Sequence, residues 1–249
     1  MNQTTVIDKI NDLGYQGLKE AYLRQTEDVN YSRLGFDERL YNLLEAQEIF
    51  THNKRIATNL RQSKIKDKQA ALEEIEYHSK RRLNKTVIKD LANMNFIRNH
   101  QNIIITGKTG TGKSYVAQAL ANRSILDGFK AYYTRVPTLL EEIKISRADG
   151  TYTNLLRKYS RFELLVLDDF GVSAMHADDA TNLFEIIEDR TEINSTIITS
   201  QLPVSQWYEY LNNDTVADAI LDRIVHSSHR LELEGESMRK LRSNINKSE

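Results

Sequence analysis

The sequence predicts an α/β fold: a mostly parallel sheet flanked by helices, preceded by a small all-α domain at residues 1–68. Three observations carry this expectation. From residue 102 onward, short β-branched apolar runs alternate with stretches of helical periodicity. A glycine-rich loop, Gly107-Lys108-Thr109-Gly110-Thr111-Gly112-Lys113-Ser114, joins the first of these runs to the helix after it. Residues 1–68 carry no strand signal.

Residues 1–35 read as short helices broken at Gly14, Gly17 and Gly35. Asp37 is placed to cap a longer helix with Leu40, Leu43, Leu44 and Phe50 on one face, the core of the small domain. That helix continues through Ile56 and Leu60. Residues 69–85, polar and basic, read as a linker at the start of a second domain, 69–249. Thr86 opens a helix carrying Val87, Ile88, Leu91, Met94 and Ile97. Asn102 to Thr106 is the first strand, and the loop helix starts at Tyr115. Lys130 to Thr134 is the next strand. Pro137 starts a helix with Leu139, Leu140 and Ile143, and a second helix covers 152–159. Leu164 to Leu167 is a continuous apolar strand ending in Asp168-Asp169. A helix at about 177–193 takes its register from Leu183, Ile186 and Ile187. Thr196 to Thr199 is a strand. Helices around 204–211 and 215–226 follow, with Trp207 packed on a helix face, then a strand near Leu231-Glu232-Leu233.

Composition narrows the function classes. The chain has 249 residues, 40% hydrophobic and 28% charged, which suits a folded globular protein. No apolar run approaches the roughly 20 residues that span a bilayer. The amino terminus lacks a signal pattern, so a cytoplasmic protein with no membrane partner is expected. With 0 cysteines, disulfides, thiolate metal sites and cysteine catalysis are excluded. The net charge of −1 hides an asymmetry: residues 1–50 carry −4, 51–98 carry +7 and 99–249 carry −4. The basic block holds Lys54, Arg55, Arg61, Lys64, Lys66, Lys68, Lys80, Arg81, Arg82 and Lys85. It reads either as a solvated helix face or as a contact surface for nucleic-acid phosphates.

The chemistry centres on the loop, which matches G-x-x-x-x-G-K-[ST] between a strand and a helix. Its glycines let the backbone aim N–H groups at phosphate oxygens, and the helix amino end adds positive character. Lys113 can reach the β- and γ-phosphates of ATP, and the Ser114 hydroxyl can ligate Mg²⁺. Tyr115 completes the nucleotide-binding set. Asp168 ends an apolar strand after this loop, the Walker B arrangement, and is expected to hold Mg²⁺ through water. Asp169 is then placed to orient or deprotonate the attacking water. Ser200 ends the next strand, where a hydroxyl can touch the γ-phosphate or the water, and Thr199 competes for that role. Arg223 and Arg239 are candidates to stabilise charge on the γ-phosphate. Loop and acid pair both lie beyond strand carboxyl ends, where ligands bind in such sheets.

On these segments the chain resembles the AAA+ ATPases of the initiator-and-loader branch, and most closely the IstB family of transposition helper ATPases. The telling segments are Thr196 to Pro203, Ala217-Asp218-Ala219-Ile220-Leu221-Asp222-Arg223 and Gly235-Glu236-Ser237-Met238-Arg239-Lys240, with the two phosphate-site motifs. The resemblance implies an ATP-hydrolysing protein of a bacterial insertion sequence that binds double-stranded DNA. It implies a homo-oligomer with ATP sites at subunit interfaces, recruiting or activating a cognate transposase. Ser200 takes the sensor 1 position, Arg223 the arginine finger acting on a neighbour's ATP, and Arg239 sensor 2. Extra helices before Walker B face DNA in this branch, which makes Lys144, Arg147, Arg157 and Lys158 the DNA-contact candidates. The chain ends soon after Arg239, so the AAA+ helical lid is expected to be absent or reduced. Many relatives carry Glu where this chain has Asp169. A replicative helicase loader of the DnaC type shares the same core and is the alternative reading. A small-molecule kinase is a further one, and it gives no reason for the basic block.

Overall fold

The computed structural model describes residues 2–77 and 81–238. Lys80, Arg239 and the expectation about a lid therefore lie outside the described residues. Contacts divide the chain into two compact units, residues 1–58 and 59–249.

The first unit is helical. α1 (Gln3–Asp12) starts where Asn2 Oδ1 accepts the Thr5 N–H at 2.9 Å. α2 (Gln16–Glu27) comes after a turn at Gly14. Gly17 does not break the chain into separate helices; it lies inside α2. A Cβ there would fall 2.4 Å from Phe50 Cβ and 2.7 Å from the Ala46 carbonyl. Close packing of α2 on α3 (Phe36–Gln62), and not a turn, is what requires this glycine. The buried Gln25 amide donates to the Arg39 carbonyl at 2.9 Å and so ties the same two helices. Asp37 lies within the first turn of α3 and does not cap it. Leu40 and Leu44 are exposed and not core, because the inward stripe of this helix is narrow.

The second unit begins within the C-terminal turn of α3. Residues 65–77 and 81–83 do not behave as a free linker. Ile65, Ala70, Leu72, Ile75 and Leu83 are buried. The polar residues between them serve α6 (Lys113–Leu126). Gln118 Oε1 accepts the Lys66 and Asp67 N–H groups, and Asn122 Nδ2 donates to the carbonyls of Asp67 and Ala70. A few apolar anchors and paired backbone groups suffice to strap a mostly polar segment to a helix.

α4 (Lys85–Leu91) is capped by Asn84, and α5 (Asn95–Arg98) comes next. The single helix expected here is split at Met94, whose φ is 54°. Then come β1 (Asn102–Gly107), α6, β2 (Ala131–Arg135), α7 (Val136–Ala148), α8 (Tyr152–Ser160) and β3 (Leu164–Phe170). α9 (Ala177–Glu188), β4 (Ser195–Ser200), α10 (Trp207–Leu211), α11 (Asp214–Val225) and β5 (Ser228–Leu233) complete the described elements. The strands form one sheet in the order β2-β3-β4-β1-β5, every pair parallel. The apolar runs of β1, β3 and β4 are near-completely buried, as strands covered on both faces must be. β5 is an edge strand. It starts three residues earlier than its apolar residues suggest, because Asn102 pairs with Ser228.

α9 ends at Glu188, short of the expected 193, and Arg190 decides the path of the chain from there to β4. That side chain is 2% exposed. It donates to the carbonyls of Tyr159, Phe162 and Ser195 at 2.6–2.8 Å and to Thr196 Oγ1 at 3.3 Å. It joins the end of α8 and the approach to β3 to the start of β4. Burial lowers its guanidinium to about 9, which leaves the group charged at neutral pH. Trp207 is fully buried and packs on Phe170 at 4.5 Å between ring centroids, as a helix-face residue should.

Candidate nucleotide site

The parallel sheet brings the carboxyl ends of β1, β3 and β4 to one edge. β1 delivers Gly107, β3 delivers Asp168 and Asp169, and β4 delivers Thr199 and Ser200. The loop then folds tightly. Gly107 has φ 146°, and a Cβ there would lie 2.1 Å from the Leu233 carbonyl. Gly112 caps α6 with φ 96°, a conformation that costs glycine little. Lys113 Nζ donates to the Gly107 carbonyl at 2.7 Å and the Lys108 carbonyl at 2.9 Å. The loop's own carbonyls hold the ammonium against the loop.

Three hydroxyls meet at Asp168, which is 3% exposed. Ser114 Oγ donates to its Oδ1 at 2.9 Å. Thr199 Oγ1 also donates to Oδ1, and the Tyr133 hydroxyl donates to Oδ2. Burial first, and the Asp168 carboxylate second, raise the Tyr133 phenol, so it stays a donor. The donor set is all oxygen, with one carboxylate and a loop hydroxyl, which suits a hard divalent cation such as Mg²⁺. Ser114 and Asp168 are the residues that would hold it.

The pairing of β3 with β4 shifts between Leu167 and Phe170. This irregularity lets two consecutive acids address one side. Asp169 takes a left-handed φ of 61°. Its N–H donates to Thr199 Oγ1 at 3.2 Å, and its carboxylate pairs with Arg135 Nε at 2.5 Å. The bond to Asp169 is the main reason the Arg135 guanidinium is raised.

The structure sorts the remaining candidates. The Ser200 hydroxyl donates to the Phe170 carbonyl and accepts the Leu202 N–H, so both its roles are taken inside the core. Thr199 is the hydroxyl that touches the acids. Gln201, the next residue, accepts the Thr109 hydroxyl at 2.7 Å and so reaches the loop directly. Tyr115 lines the cavity that opens beside the loop. Its hydroxyl donates to Glu74 Oε2 at 2.9 Å and accepts the Ala71 N–H. Arg223 is remote from the loop. Its carbonyl accepts from the Asn102 side chain, at the amino end of β1. Its guanidinium pairs with Glu188, donates to the Ala219 carbonyl and lies 5.0 Å from the Phe184 ring. The Glu188 bond raises it and keeps it charged.

Three of the four DNA candidates are used within the chain. Lys144 pairs with Asp179, Lys158 with Glu142, and Arg147 with Glu185 and Asn182. These pairs fasten α7 to α8 and α9. Arg157 is exposed.

Sequence reasoning missed several residues. Tyr133 and Arg135 alternate on β2 and grip the two acids, yet only the β2–β3 register reveals it. A cavity of about 300 Å³ opens beside the loop, walled by Asp67, Glu74, Ile75, Arg81 and Met238. Arg81 donates to the Thr111 carbonyl at 2.9 Å, and Met238 N–H donates to the Gly110 carbonyl at 2.9 Å. Glu74, Ile75 and Arg81 of that wall come from the segment that reads as a linker. Only the buried Ile75 and Leu72 within that polar stretch signalled it.

The family model for IstB-like ATP binding proteins matches residues 8–246. A protein of Sinorhizobium fredii described as an insertion-sequence ATP-binding protein is 39% identical over 234 residues, 94% of this chain and 95% of its own. One of Pseudomonas fluorescens with a similar description is 35% identical over 205 residues, 82% of this chain and 88% of its own. Among solved structures, the DnaC helicase loader superposes with a TM-score of 0.57 at 19% identity, covering 68% of this chain and 99% of that one. At that identity it speaks for the AAA+ fold alone. No helix among the described residues is long and apolar enough to cross a membrane.

Proposed function

The chain belongs to the IstB-like ATP binding protein family, and from that premise we propose that it is the ATP-hydrolysing, DNA-binding helper of an insertion sequence. It assembles as a homo-oligomer on duplex DNA and recruits a transposase. The observation that carries this reading is the placement of Arg223. The loop and Arg223 lie at opposite ends of β1, a six-residue strand, so about 17–20 Å apart along the strand. An arginine cannot cover that span within its own chain. That separation supports a role for Arg223 at a neighbour's ATP.

Each group then has a role set by its position. The loop N–H groups and Lys113 bind the phosphates, with the nucleoside in the cavity walled by Ile75 and Met238. Mg²⁺, when bound, offsets charge on the β- and γ-phosphates. Asp169 positions the water once it parts from Arg135. Thr199 fixes both acids, and Gln201 reads the γ-phosphate at the loop mouth. Arg239, as sensor 2, stays an expectation from the family pattern. The relatives named for insertion sequences support a transposase partner over a helicase ring.

The test measures ATP hydrolysis with and without duplex DNA over a salt series, with capture of a transposase and of a replicative helicase in parallel. Duplex stimulation that fades steeply with salt, with the transposase captured, is the expected result. Capture of the helicase alone moves the chain to the loader reading. No response to duplex DNA at low salt removes the DNA part.

A further inference from the structure

Tyr133 is a core tyrosine by burial, at 5% exposure. Its hydroxyl nevertheless lies on Asp168, the acid of the candidate cation site, and on a particular oxygen of it. Asp168 Oδ1 is shared by Ser114 and Thr199, whereas Oδ2 takes Tyr133. The two oxygens therefore have different tasks. Ser114 would release Oδ1 when its own oxygen turned to a metal, and the lone pair it vacates would be open to a water on that metal while Thr199 keeps the other. Tyr133 has no competing task and keeps Oδ2. A carboxylate held at one oxygen cannot rotate to follow Ser114 or swing both oxygens toward the ion.

We propose that Tyr133 is a positioning residue for the divalent cation, fixing the Asp168 carboxylate through Oδ2 so that Oδ1 stays aimed at the metal site. The inference rests on the Mg²⁺ reading of this site. The phenol reaches it from β2, the strand paired with β3, two residues before Arg135 and on the same side of the strand. One strand thus sets both acids, Tyr133 the first and Arg135 the second. The ring itself packs with the core, so phenylalanine keeps the packing and removes only the donor.

The experiment compares the parent with Tyr133→Phe. Nucleotide affinity is read with a fluorescent ATP analogue in EDTA. Mn²⁺ affinity in the presence of a non-hydrolysable analogue is read by electron paramagnetic resonance. Groups that orient a metal ligand are worth about 10–100-fold in metal affinity. Tyr133→Phe should bind nucleotide in EDTA within about twofold of the parent and Mn²⁺ about tenfold or more weakly. Raising Mg²⁺ should then restore its hydrolysis. Unchanged Mn²⁺ affinity overturns the proposal. An equal loss in EDTA also overturns it, because the phenol would then be supporting the fold. If the parent binds nucleotide no better with Mn²⁺ than in EDTA, the cation reading itself fails and the proposal falls with it.

Discussion

The two ends of the sheet are built differently. At the carboxyl ends, polar groups from four elements hold one another: Ser114, Tyr133 and Thr199 on Asp168, and Arg135 on Asp169. At the amino end of β1, Arg223 rests on one carboxylate, Glu188, and their side chains are 26% and 47% exposed. The first arrangement is buried and assembled within one chain. The second is a partly exposed ion pair worth about 1 kcal/mol. Such a pair can be exchanged for a phosphate group, which can take a guanidinium in the same bidentate way as a carboxylate. On the proposed reading, half of the chemistry is ready in the monomer and half waits for a partner surface.

The largest expected effect tests the amino end. Arg223→Ala should lower hydrolysis by about 10³-fold or more, the range seen when arginines are supplied in trans. Mixed with Lys113→Ala on DNA, it should regain activity, since some interfaces then pair an intact loop with an intact finger. A mixture that co-assembles and stays inactive removes the trans assignment. At the carboxyl end, Asp169→Asn should slow hydrolysis about 10²–10⁴-fold while nucleotide affinity holds. Titration with a non-hydrolysable analogue checks that split. Lys113→Ala should instead weaken nucleotide binding itself, about 100-fold, by removing the charge that meets the phosphates. Equal binding losses in these two variants would erase the division of labour between them.

Smaller effects sharpen the comparison. Arg135→Gln frees Asp169 from a partly exposed pair, so hydrolysis in the absence of DNA should rise, by up to about fivefold. A fall in rate would mean that Arg135 helps the reaction directly. Arg157→Ala should weaken DNA binding and reduce the salt slope by about one. Lys144→Ala should leave both nearly unchanged, because Lys144 already has Asp179. Filter binding across a salt series separates the two.

Much of this was legible in the residues. The loop, the apolar β3 run ending in two acids and the alternation of strand and helix are local patterns. Periodicity and glycine placement report local structure directly, so the fold class and the candidate phosphate and cation residues can be read from them. Element edges slipped where bonds to distant residues decided them, as those of Arg190 to the Tyr159 and Phe162 carbonyls did for α9. What the linear chain could not contain was pairing. Ser200 and Thr199 are adjacent hydroxyls of one strand, and side-chain alternation sends them to opposite sides. Which one meets the acids depends on the β3–β4 register and its shift at Asp168. The same holds for Tyr133 and Arg135, for Gln201 at the loop, and for the polar strap that walls the cavity. Residue type and short-range spacing determined what chemistry this protein carries. Tertiary structure alone decided which groups touch, because register and packing join residues tens of positions apart.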